Sequence, residues 1–177
     1  RNASKATTFG VEVEVRKKLN DKFSAFSNLT LLSSKVTFNN LSAGGVQEQA
    51  SRPLQGQAPY LFNAGLQYTD VKRDINASLL FNKVGPKLYA VGSPPPGAGF
   101  YDIYEKSRDL IDLQFSKKLL KKKGELKITI SDLLNQYVAQ FDNLTSREAF
   151  KEADGDRFTN RFRPGTTVTV AFNYDIF

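Results

Sequence analysis

The chain has 177 residues, carries 25 Lys and Arg against 18 Asp and Glu for a formal charge of +7, and is 40% hydrophobic. It contains no Cys, His, Trp or Met, which excludes disulfides, thiolate metal sites, a cysteine nucleophile and the imidazole base. No apolar run approaches the roughly 20 residues of a membrane-crossing helix, whereas a mean hydropathy of -0.39 is compatible with a membrane β-barrel, whose polar lumen face offsets its apolar outer face.

Seven stretches alternate apolar and polar residues at the period of a strand, in which successive side chains leave opposite faces. In the first, Phe9, Val11, Val13 and Val15 oppose Gly10, Glu12, Glu14 and Arg16. The second, around residues 23 to 36, is less regular, with Ala25, Leu29 and Leu31 against Ser24, Asn28 and Thr30. The third sets Phe62, Ala64, Leu66 and Tyr68 against Asn63, Gly65, Gln67 and Thr69, and the fourth sets Ile75, Ala77, Leu79 and Phe81 against Asn76, Ser78 and Asn82. Ile111, Leu113 and Phe115 define the fifth, and Leu126, Ile128 and Ile130 the sixth. Val168, Val170, Phe172 and Tyr174 define the seventh.

A soluble sandwich with one wet face shows the same period, so connection lengths carry the decision. Residues 19 to 22, 70 to 73 and 120 to 124 join strands one to two, three to four and five to six. Long segments rich in Gly, Pro, Asn and Ser, at about 37 to 59, 85 to 107 and 132 to 160, fill the other connections. Each long segment falls on one side of the sheet. Short turns at one rim and long loops at the other predict an outer-membrane barrel, turns in the periplasm and loops outside.

Twelve of the 25 cations sit at or beside the short turns: Arg16, Lys17, Lys18, Lys22, Lys72, Arg73, Lys117, Lys118, Lys121, Lys122, Lys123 and Lys127. One reading is a basic collar facing anionic head groups or snorkelling to the interface. The other is that turns are solvated and accept Lys without further reason. A pI near 9.5 invites nucleic-acid binding, but no recognition helix or aromatic RNA-binding sheet motif accompanies it.

The segment Arg52-Pro53-Leu54-Gln55-Gly56-Gln57-Ala58-Pro59-Tyr60 leads into a strand. Tyr101-Asp102-Ile103-Tyr104-Glu105, the run from Arg108 to Leu119, and Ser131-Asp132-Leu133-Leu134-Asn135-Gln136 follow in order, before Arg163-Pro164-Gly165-Thr166 enters the final strand. These motifs and their spacing resemble the late barrel strands of TonB-dependent outer-membrane receptors of the Bacteroidota type. The resemblance implies a barrel of about 22 strands filled by an N-terminal plug and driven by the TonB energising complex. The expected fold is therefore all-β, with residues 1 to 177 as the C-terminal third of one barrel domain and the plug outside this chain. A chain that opens at Arg1 with no leader-like segment agrees with a piece of a longer polypeptide.

Aromatics near strand ends, Phe23, Tyr60, Tyr68, Phe100, Tyr101, Tyr104, Phe172 and Tyr174, are candidates for the interfacial girdles of a barrel, though any β-protein is rich in such residues. Phe177 resembles the terminal aromatic by which outer-membrane proteins are recognised for insertion, so Phe172, Tyr174 and Phe177 form the expected membrane-interface signal. The alternation departs from the familiar pattern, because Asn173 and Asp175 stand where apolar residues are expected. Phe177 itself faces lipid only if a bulge near the end restores the phase.

Glu148, Glu152, Asp154 and Asp156 group carboxylates as Ca²⁺ prefers but lack the spacing of a calcium loop. Pro94-Pro95-Pro96-Gly97 stiffens the second long segment. Asn28-Leu29-Thr30 and Asn143-Leu144-Thr145 are glycosylation sequons that a bacterial setting makes incidental. Glu12, Glu14 and Asp112 are conceivable as an acid and base pair of the glycosidase kind, yet a polar lumen lining accounts for them, and no enzyme, cofactor or metal is expected. The leading expectation is nutrient import, of a siderophore, glycan or peptide, in the bacterial outer membrane. Its partners are outer-membrane lipid, the rest of the barrel and plug, and a surface lipoprotein at the loops, with no nucleic acid. A receptor-like barrel serving as a structural subunit and a soluble carbohydrate-binding sandwich are the alternatives.

Overall fold

All seven alternating stretches are strands of one antiparallel meander. The computed structural model describes residues 5–41, 47–92, 101–144 and 149–176. In chain order the strands are β1 (Lys5–Lys18), β2 (Phe23–Leu41), β3 (Gln47–Arg52), β4 (Tyr60–Asp70), β5 (Ile75–Val84), β6 (Lys87–Ala90), β7 (Asp102–Glu105), β8 (Arg108–Leu119), β9 (Gly124–Ser131), β10 (Val138–Asn143), β11 (Arg157–Phe162) and β12 (Thr167–Tyr174). The wall runs β1-β2-β4-β5-β8-β9-β12, with β3 on the outer half of β2. Among the described residues β1 and β12 do not pair with each other, so the wall is an open sheet with two free edges.

Register turns seven separate alternations into two continuous faces. Val13 stands opposite Leu29, Leu29 opposite Phe62, Leu66 opposite Leu79, Leu79 opposite Leu113, Leu113 opposite Ile130 and Ile130 opposite Val168. A slip of one residue at any pair would throw a whole strand's apolar set onto the other face. The apolar face is not covered. Val13 is 56% exposed, Leu79 43% and Val170 64%, while the least exposed side chains, Phe141 and Leu88, lie elsewhere. A soluble sandwich would bury these wall residues against a second layer, and the structure does not.

The turns are held by side chains. Asn20 Oδ1 accepts the backbone N–H groups of Lys22 and Phe23 at 2.9 Å each. Asp70 Oδ1 does the same for Lys72 and Arg73 at 3.1 Å, while its Oδ2 takes Lys22 Nζ at 2.8 Å and the Tyr68 hydroxyl at 3.1 Å. Such Asx turns satisfy amides that the ladder leaves unpaired. Lys22–Asp70 and Lys122–Asp74, the latter at 3.4 Å, also tie the three turns to one another.

The long segments depart from the expectation of irregular loops. They hold β3, β6, β7, β10 and β11, and the last four form a second sheet in the order β11-β10-β7-β6. Its buried cluster of Leu88, Tyr104 and Phe141, with Phe150 packed against it, lies at the loop rim. These strands are only four to six residues long, and β10 pairs with strands distant in sequence, so local alternation does not announce them. Tyr104, expected in a girdle, is 4% exposed inside this cap.

Leu79→Lys, facing Leu66 and Leu113 in the middle of the apolar face, is expected to cost about 2–4 kcal/mol in a bilayer, whereas Ser78→Lys on the polar face costs little. Urea unfolding in vesicles, followed by loss of heat-modifiable gel migration, checks the difference. At the turn rim, beyond the apolar band, the Lys22 ammonium holds the Asp70 carboxyl down to about 2 against the opposing effect of desolvation. A depressed carboxylate contributes stability above its unfolded value near pH 3.8 and loses it as the pH falls through 2. Asp70→Asn keeps the amide acceptor and removes the ion pair. The variant should therefore be less stable than the parent at pH 7 and indistinguishable from it below pH 2.

Candidate functional site

The polar face of the wall collects its chemistry in rows that run across the strands. Glu14, Asn28, Asn63, Asn82 and Leu110 stand side by side on β1, β2, β4, β5 and β8. The next row towards the turns is Arg16, Phe26, Gly65, Leu80 and Asp112. Together these two rows line a groove of about 490 Å³. The hollow is shared by side chains from five neighbouring strands.

Several of these groups are already engaged. The Asn28 amide donates to the Glu12 carboxylate, the Asn82 amide donates to the Asn63 carbonyl, and Arg16 pairs with Glu14. The Thr30 hydroxyl donates to Asn28 Oδ1 at 3.3 Å. Asp112 Oδ1 accepts the backbone N–H of Asp132 at 2.8 Å, anchoring the start of the third long segment to the wall. Phe26 is the aromatic exception on this face. Its ring lies over Gly65, where any Cβ would run into it, so the glycine is what lets the ring lie flat along the sheet. The groove thus offers amide donors and acceptors, a guanidinium and two carboxylates around an aromatic platform, a set suited to holding a polar solute by many weak hydrogen bonds.

The carboxylates considered as an acid and base pair do not converge. Glu12 and Glu14 lie on β1 and Asp112 on β8, with β2, β4 and β5 between them. In the third long segment, Asp156 accepts the N–H groups of Leu144 at 3.0 Å and Lys151 at 2.9 Å, and Asp154 faces Lys151 at 4.0 Å. Glu148, Thr145 and the stretch from Pro94 to Gly97 lie outside the described residues.

On the opposite face the aromatics form two levels. At the turn rim Phe23 and Tyr68 pair with centroids 5.0 Å apart, and Phe172 and Tyr174 follow at the same end of β12, opposite Leu126 and Gly124. Phe172 covers the bare backbone of Gly124. Towards the loop rim Phe62 and Phe81 meet at 6.1 Å, next to Tyr60. Tyr101 belongs to the cap side, immediately before β7, and Phe100 and Phe177 lie outside the described residues. The Asn28, Asn63 and Asn82 row and the Phe62–Phe81 pair escaped the sequence reading, since each is a cross-strand fact that register creates.

No curated protein and no solved structure matches the chain. A family model described as the outer membrane protein beta-barrel family matches residues 1–174. An uncovered apolar face, a polar face opposite it, short turns at one rim and long segments at the other are what such a wall requires, and the chain belongs to the outer membrane protein beta-barrel family of the bacterial outer membrane.

Proposed function

We propose that the chain forms part of the wall of a TonB-dependent receptor that imports a nutrient across the outer membrane. The polar groove carries the reading. The Asn28, Asn63 and Asn82 amides and the Phe26 platform support it, being groups that a polar solute in a lumen would use, on the side opposite a face made for acyl chains. The free edges of β1 and β12 support it as well, because unpaired backbone groups are intolerable in hydrocarbon and call for neighbouring strands. On this reading the rest of the barrel, the plug and the segment contacting the energising complex reside on residues outside this chain.

A second reading, a structural subunit gripping a surface lipoprotein, is favoured by the cap. Arg161 stacks over Tyr137 at 3.8 Å and Arg163 over the same ring at 4.3 Å, beside the exposed Phe158 and Phe162 of edge strand β11. Aromatic and Arg side chains of this kind are enriched at protein interfaces.

Deletion of the gene should abolish growth on one nutrient class, and loss of the energising complex should reproduce the defect. Normal uptake of every nutrient tested, with loss of an envelope assembly instead, would overturn import in favour of the structural reading. Within the groove, Asn63→Ala and Asn82→Ala are each expected to slow initial uptake about fivefold at unchanged protein level, as a hydrogen bond contributing roughly 1 kcal/mol is lost.

A further inference from the structure

We propose that the turn rim is a binding surface for anionic phospholipid head groups, and that the chain thereby selects the lipid packed around it. The whole net charge of the molecule resides at this rim. Residues 16–23, 69–75, 117–127 and 173–176 carry twelve cations and five anions, which equals the +7 of the full sequence. Three of those anions are engaged, Asp21 by Lys18, Asp70 by Lys22 and Asp74 by Lys122. Among the described residues, Lys17, Lys72, Arg73, Lys117, Lys121 and Lys123 are exposed and enter no ion pair.

Their depth is set by register. Lys17 stands opposite Ala25, and Lys117 opposite Ile75 and Leu126, in the rows of the apolar face. Lys17 lies one row inside the level of Phe23 and Tyr68, and Lys117 shares the row of Phe172, one row inside Tyr174, so their long side chains reach the phosphate level by snorkelling past the aromatics. The other rim is built differently. There Lys83 is neutralised by Asp109 directly opposite at 2.8 Å and Lys87 by Glu105 at 3.1 Å, while Lys5 and Lys35, at the loop end of β1 and β2, are exposed. Charge at the apolar border is thus partly cancelled at the loop rim and left open at the turn rim.

The third turn shows that geometry does not account for its lysines. Leu120, Lys121 and Lys122 have φ of 50°, 55° and 75°, in the left-handed region where Gly or Asn relieves the strain. Lysine is the costlier choice there for the backbone. A charge requirement explains it, since each Lys near an anionic surface contributes about 1 kcal/mol.

The test uses the intact outer-membrane protein reconstituted in nanodiscs containing spin-labelled phosphatidylglycerol or phosphatidylcholine. The parent should enrich the anionic lipid in its motionally restricted shell by about fivefold at low salt, with the preference falling as salt rises. Replacing Lys17, Lys72, Lys117, Lys121 and Lys123 by Gln should bring the ratio to about one, while Lys87→Gln at the other rim leaves it unchanged. Lys121→Gly serves where the multiple variant fails to fold, since it eases the turn and should still lower the ratio. Equal partition of the two lipids by the parent, undiminished selectivity in both variants, or lysine-dependent capture of an acidic protein with no lipid preference would overturn the proposal.

Discussion

Backbone pairing between neighbouring strands is the constraint on which everything else in this molecule rests. A strand presents its side chains alternately to two sides, and only lateral hydrogen bonding in one register keeps seven such alternations in phase. With the phase kept, Val13, Leu29, Leu66, Leu79, Leu113, Ile130 and Val168 share one surface and Glu14, Asn28, Asn63 and Asn82 the other. In water the first surface would be a large exposed patch. In a bilayer it is the ordinary outside of a wall, and the dry packing normally found inside a domain is confined to the small cap of Leu88, Tyr104, Phe141 and Phe150.

The same pairing explains why the two rims differ in construction. At the turn rim the chain reverses within a few residues, so amides are satisfied locally by Asn20 and Asp70 and the turns are stitched by Lys22–Asp70 and Lys122–Asp74. At the loop rim the chain leaves the wall for tens of residues. Its polar backbone is then satisfied by a second sheet, anchored to the wall through Asp112 to the Asp132 amide and through the Ser107 hydroxyl donating to the Val84 carbonyl at 2.8 Å. Small residues make close approach possible on both faces, Gly65 beneath Phe26 and Gly124 beneath Phe172.

Function divides along these surfaces. The apolar face and its two aromatic levels suit the membrane, the polar face offers hydrogen-bonding groups on the other side, and the cap presents Arg161, Arg163, Tyr137 and Phe158 outward. Free cations gather mainly at the turn border of the apolar face. A wall segment can therefore present three chemically distinct surfaces, because each is a different direction out of the same sheet.

How much of this was legible in the linear chain follows from the range of the forces involved. Period-two alternation and turn length are properties of consecutive residues, so the seven wall strands, their order, the sidedness of the long segments and the basic turns could all be read before any coordinates. The cap strands could not, because Lys87–Ala90, Asp102–Glu105, Val138–Asn143 and Arg157–Phe162 become strands by pairing across long stretches of chain. Nor could Tyr104 be moved from the membrane border to a buried core, or Asn28, Asn63 and Asn82 be gathered into one row. Those assignments depend on which residue stands opposite which, and opposition is settled by the register of the assembled sheet, to which each local pattern contributes only a phase.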